Sequence, residues 1–197
     1  MRMKFASIHL YDPERKLTTE QFRRTYMNTL HDIEGECRER CRNLHALFGE
    51  AVSKEDEAKL RRMMEAELKK IEFAHLGAWH TAYDPNYSFE TVEPAAQALS
   101  NVVDTPVFFA AVFDGGILLF GVCLKGELVT RHIVGGFFVR WEYGLMKQRA
   151  DVRLLCEMLS LKDKSLVVQL CKQRRVDKAV KLLETLLGVP LCMSAGK

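Results

Sequence analysis

Residues 105–136 read TPVFFAAVFDGGILLFGVCLKGELVTRHIVGG, and the fold turns on them. Two turn signals, Asp114-Gly115-Gly116 and Lys125-Gly126, divide the stretch into three runs rich in β-branched, aromatic and aliphatic residues. Gly beside Asp or Lys supplies the positive-φ positions that tight hairpins need, so the runs predict a three-stranded antiparallel meander. Both side-chain parities are apolar: Phe109, Ala111 and Phe113 on one, Phe108, Ala110 and Val112 on the other. A sheet apolar on both faces has to be covered on both faces. The meander is thus the expected centre of the molecule, and it brings no catalytic group with it.

Working outward, residues 4–11 alternate as a strand that Asp12-Pro13 ends, because proline has no donor for the ladder. Thr18-x-x-Gln21 is a capping-box signature. Beyond it, Phe22, Tyr26, Leu30, Ile33, Cys37, Cys41, Leu44 and Phe48 recur at helical spacing, predicting one long amphipathic helix. Gly49 ends it, and Ser53-x-x-Asp56 opens a second helix with the stripe Leu60, Met63, Met64, Leu68 and Ile71. A short link between the two predicts an αα-hairpin elaboration over residues 18–72. Residues 74–83 read as one further strand, ended by Asp84-Pro85 as the first was by Asp12-Pro13; the Tyr-Asp-Pro echo reads as shared strand-end chemistry.

A helix is expected over 91–103, with Pro94 in its first turn. After Gly135-Gly136, residues 137–145 read as irregular or extended. Short amphipathic helices are expected at 151–159, 165–172 and 176–187, making a C-terminal helical segment over 150–190 that Gly188-Val189-Pro190 stops. Residues 194–197 are expected to fray. The whole reads as a single α+β domain, 1–197. Its sheet is mixed or antiparallel with a C-terminal three-stranded meander, helices lie on both faces, and an αα-hairpin is inserted.

A chain of 197 residues with a net charge of +3 buries a real core and gives little reason to expect nucleic acid. The charge is uneven: residues 140–197 hold 12 Lys/Arg against 6 Asp/Glu, whereas residues 14–72 hold 13 of each sign. No run approaches the ~20 apolar residues of a membrane span, and His9, Asp12 and Glu14 interrupt any signal-peptide core, so a cytoplasmic protein is expected. Six cysteines without framework spacing read as buried thiols.

Cys37, Cys41 and His45, at four-residue steps, invite a zinc reading. Residues eight apart lie roughly 12 Å apart along a helix axis, too far for one ion with bonds of about 2.0–2.3 Å. Neither a metal nor a cofactor is therefore expected. His9, His75, His80 and His132 fall on predicted strands, with no carboxylate at a spacing that would orient them. Trp79, His80, Tyr83, Trp141 and Tyr143, near strand ends and connections, are the candidate binding residues. The run 172–181, KQRRVDKAVK, reads as a solvated helix face with an inward stripe. A nucleophile elbow, a phosphate loop, a zinc-protease helix and a Cys-x-x-Cys pair are all missing from the sequence.

From Pro106 to Pro190 the order of parts resembles a group of uncharacterised bacterial proteins. The match comprises VFDGGILLFGVCLKGELVTRHIVGG, then Tyr143-Gly144, RLLCEMLSL and KLLETLLGVPL. The resemblance implies no activity and no site residues. The expected function is that of a binding or interaction protein, immunity-like or regulatory, with a protein partner and neither nucleic acid nor membrane. A homodimer with the Met-bearing hairpin at or near its interface is the expected assembly. The alternative is an enzyme or small-ligand-binding domain with a site near the strand histidines and tryptophans.

Overall fold

The computed structural model describes residues 4–49 and 52–192. In chain order the elements are β1 (Phe5–Tyr11), α1 (Thr19–Leu30), α2 (Ile33–Phe48), α3 (Lys54–Leu68), β2 (Glu72–Leu76), β3 (Trp79–Tyr83) and α4 (Val92–Val102). They continue as β4 (Val107–Phe113), β5 (Ile117–Leu124), β6 (Glu127–Gly135), α5 (Phe137–Glu142), α6 (Val152–Met158), α7 (Lys164–Lys172) and α8 (Val176–Leu187). The six strands form one sheet in the order β2-β3-β1-β4-β5-β6, and every neighbouring pair is antiparallel. The protein is an α+β fold.

Turn chemistry builds the meander. Lys125 and Gly126 both take positive φ, 52° and 80°, the pair of left-handed conformers that a two-residue hairpin of right-handed twist requires. Alternation then divides the sheet into two faces. Phe108, Ala110, Val112, Leu118, Phe120 and Val122 join Trp79 and the apolar stripes of α6, α7 and α8 in one core. Phe109, Ala111, Leu119 and Cys123 join Ile8, Leu10, Phe22, Tyr26 and Leu99 in the other, beneath α1 and α4. Phe109, Val112 and Val122 are fully buried and Leu119 is 2% exposed. Each such side chain contributes roughly 1.5–3 kcal/mol by leaving water.

Four local expectations are corrected. The long first helix is two, because the Asp32 side chain accepts from the Gly35 N–H and caps a new start, while His31 closes α1 at φ −136°. The expected stripe breaks with it: Phe22 and Tyr26 are buried, Cys41 is only partly buried and Leu44 is exposed. The side chains of Ile33 and Phe48 lie outside the description, as do residues 194–197. The strand expected over 74–83 is a hairpin, β2 and β3, folded at Gly77, whose φ of 63° suits glycine. Finally, residues 137–142 are helical. Val139 of α5 packs over Gly116, where a built Cβ would stand 3.1 Å from Val139 Cγ1, and this close contact seats the helix on the β4–β5 turn.

Candidate functional site

The two Tyr-Asp-Pro strand ends each supply a buried carboxylate, and each carboxylate faces a histidine. Asp12 accepts from the Lys16 and Leu17 backbone N–H groups at 3.1 and 2.9 Å, and one of its oxygens stands 3.5 Å from His80 Nε2. Burial raises the Asp12 pKa, but the Leu17 and Lys16 amides and His80 outweigh it, and the net shift is downward. His80 is pushed down by burial and by His75, which stacks on it at 4.4 Å. Asp84 accepts from Tyr26 Oη at 3.1 Å and from the Asn86 N–H at 2.8 Å, and one oxygen lies 3.3 Å from His31 Nε2. Long-range strand register thus provides His80 with a carboxylate that local spacing withheld.

His9 and His132 lie on the opposite face. The His9 ring nitrogens sit 3.0 Å from Thr81 Oγ1 and 2.9 Å from Ser7 Oγ, and burial pushes its pKa down to about 3. His132 Nδ1 accepts from the Ala150 N–H at 3.1 Å; burial and then Arg149 lower its pKa to about 4. Both are neutral at pH 7. His132 lines a surface groove that includes neither His9 nor His80. His75 and His80 stack, but His9, His80 and His132 do not converge on one site.

Nor do the five candidate binding residues. Trp79 and Tyr83 are buried clamps: the indole Nε1–H donates to the Leu187 carbonyl at 3.1 Å and the Tyr83 hydroxyl to the Pro190 carbonyl at 2.8 Å. His80 sits on the other face of the sheet, against Phe22. Trp141 and Tyr143 belong to α5 and its end, beyond β6. α5 is seated on the β4–β5 turn, and β1 lies between β4 and β3. Tyr143 donates to Asp114 and packs edge-on against Phe89, so it anchors α5 inward. Trp141 alone of the five is exposed, at 75%.

Around Trp141 the structure places what the sequence reading missed. Phe137 is 67% exposed, Phe138 80% and Met146 82%, so four large apolar side chains stand in solvent within ten residues. Val139, Tyr143 and Leu145 pack inward on the core, which leaves the outer side of α5 as an apolar shelf. Beside it runs a groove of about 310 Å³ between the end of β6, the segment 147–149 and the end of α7. Arg140, Lys147, Arg149, Lys172 and Arg174 line that groove together with Phe137, and its lining contains no carboxylate. None of the five cations forms an ion pair among the described residues. Other cations here do, as Arg131 with Glu93 and Arg175 with Asp177, each at 2.7 Å. The run 172–181 therefore divides: Val176 and Val180 are buried, while Lys172 and Arg174 face the groove.

Cys37 is buried, with Sγ 3.9 Å from the Glu57 carbonyl, whereas Cys41 opens on a shallow depression and His45 is exposed. Among the described residues, no three His, Cys, Asp or Glu side chains stand together as a metal-ligand set. No helix among them is long and apolar enough to cross a membrane. No protein family, curated protein or solved structure matches the chain.

Proposed function

We propose that this protein is an interaction module whose contact surface is the α5 corner, the shelf of Phe137, Phe138, Trp141 and Met146 with its cationic groove. The observation that carries this reading is the exposure of four large apolar side chains on one short segment. Scattered exposed apolar residues need no explanation, whereas a contiguous patch rimmed by charge is the usual form of a protein contact. Its composition agrees, since aromatic residues, Met and Arg are the side chains enriched at interfaces. An immunity-like or regulatory role uses such a surface on a protein partner.

The test is capture from a lysate of the host cell followed by reconstitution with purified partner. A partner held by the wild-type chain and lost by Phe138→Ser/Trp141→Ser supports the reading. A partner held equally by both would remove the corner from it. Sedimentation at micromolar concentration runs beside this, since a second copy is one candidate partner. A dimer broken by substitutions at Leu47 and Met63, but not at Trp141, would return the contact to the hairpin.

A second reading rests on one observation: His31, with the buried Asp84 carboxylate behind it, lines a pocket of about 390 Å³ together with Arg40, Met63, Met64 and Glu67. Such a pocket suits a small ligand carrying both polar and apolar groups. A small-molecule thermal-shift screen in which every hit is insensitive to His31→Ala would discard it.

A further inference from the structure

Resting on the interaction reading, we infer the chemistry of the partner: the α5 corner takes an extended acidic segment of a protein. The segment's carboxylates enter the groove between Arg140, Lys147, Arg149, Lys172 and Arg174, and a bulky apolar side chain beside them lies on the Phe137–Trp141 shelf. Charge complementarity is the first argument. Five cations share one concavity without a carboxylate in its lining, and His132, neutral at pH 7, neither adds to nor cancels them. Placing them together costs repulsion that an anionic occupant relieves. Four of them, Lys147, Arg149, Lys172 and Arg174, stand at the exposed rim, and the Arg140 Nε–H is already turned to the Gly135 carbonyl at 3.3 Å, which holds its guanidinium at the groove mouth. Guanidinium groups take carboxylates in paired, planar hydrogen bonds.

The shape chooses among anions. A bilayer surface is flat and meets cations on a convex face, whereas these line a concavity. A nucleic-acid strand needs a cationic track as long as its phosphate backbone, while the neighbouring cations Arg131 and Arg175 are neutralised by Glu93 and Asp177. A net charge of +3 gives no long-range field to gather a polyanion. Methionine beside phenylalanine makes an adaptable apolar seat of the sort that receives protein side chains.

The probes are the fluorescein-labelled peptide EDEFEDLE and its uncharged counterpart QNQFQNLQ, read by fluorescence anisotropy against the full chain. Saturable binding of the acidic peptide is expected, weakening at least tenfold for the uncharged one and on raising the salt. The variants Arg140→Glu/Arg174→Glu and Lys147→Glu/Lys172→Glu are each expected to weaken it at least tenfold at unchanged melting temperature; the second pair lies wholly on the exposed rim and guards against misfolding of the first. Trp141→Ser should weaken both peptides' binding. The inference falls if the two peptides bind alike, if neither saturates up to millimolar concentration, or if charge reversal leaves binding intact. It falls equally if phosphatidylserine vesicles or an oligothymidine bind more tightly than the acidic peptide. Should the peptide fail while Trp141→Ser still strips the captured partner, the interaction reading survives and only the acidic segment is lost.

Discussion

Trp79 and Leu187 are 108 positions apart, and the Trp79 indole donates its N–H to the Leu187 carbonyl at 3.1 Å. Together with Tyr83 and Pro190 this ties the last turn of α8 and the chain after it to β3. Trp79→Phe keeps an aromatic ring and leaves that carbonyl without its donor. The expected cost is ~1–3 kcal/mol, read as a lower urea midpoint, with partner capture at the α5 corner unchanged. Lost capture at full stability would place Trp79 in the contact after all.

Leu119 sits in the meander on the face beneath α1 and α4, 2% exposed. Leu119→Ala removes buried surface and leaves a cavity, for an expected loss of ~2–5 kcal/mol. Chemical denaturation with an unchanged midpoint would show that the meander is not the centre of stability.

Phe138 presents the opposite case. At 80% exposure it contributes little to the fold, so Phe138→Ser should move stability by less than ~0.5 kcal/mol. Its effect is expected on association alone. A calorimetric scan showing a large drop in melting temperature would mean that the shelf is packed in solution by something other than a partner.

His9 and His132 set a pH dependence. Both are neutral in the fold, with pKa values pushed down to about 3 and about 4, against about 6.5 for an exposed histidine. Below pH 6.5 the unfolded chain binds protons that the folded chain refuses. The stability these residues allow at pH 7 is therefore lost progressively as pH falls from about 6.5 toward 4 and then 3. In His9→Gln the slope of stability against pH across that window should be shallower than in wild type, whatever the variant's stability at pH 7. Parallel slopes would show that His9 is not neutral in the fold.

Asp84 joins Tyr26 of α1 to the loop after β3 and faces His31 where α1 ends. Asp84→Asn keeps the size and removes the charge, with an expected cost of ~1–3 kcal/mol. Hydrogen exchange should report it first at the end of α1. Exchange loosened uniformly across the sheet instead would mean that the carboxylate supports the whole fold.

What could be read in the sequence was what neighbouring residues decide. Lys125-Gly126 announces a hairpin because two adjacent residues must both take positive φ, and the meander follows from that. Asp32 was hidden because it interrupts an apolar stripe that continues past it, so periodicity overrode a capping signal. Residues 137–142 read as irregular or extended because Phe-Phe-Val favours strands, yet they are helical, with Val139 packed over Gly116, more than twenty positions away. The groove was out of reach for the same reason. Arg149 and Arg174 come to one groove only when α6 and α8, which pack on β6, carry the end of α7 toward it, and no local pattern records that.

The place of β1 in the sheet has a consequence for biosynthesis. β2–β3 and β4–β6 are each closed by short turns and pair with what has just been made, but β1 is the seam between them, with Phe5–Tyr11 pairing to β3 on one side and β4 on the other. A ribosome adding about 5–20 residues per second keeps Ile8 waiting on the order of 5–20 s for Phe109, its partner across the seam. Until β3 is made, an apolar strand stands with both edges open on the nascent chain, and the edge that β4 covers stays open through the whole interval. Its protection in the cell falls to whatever receives the emerging polypeptide, and synthesis slowed between residues 84 and 107 would lengthen the exposure.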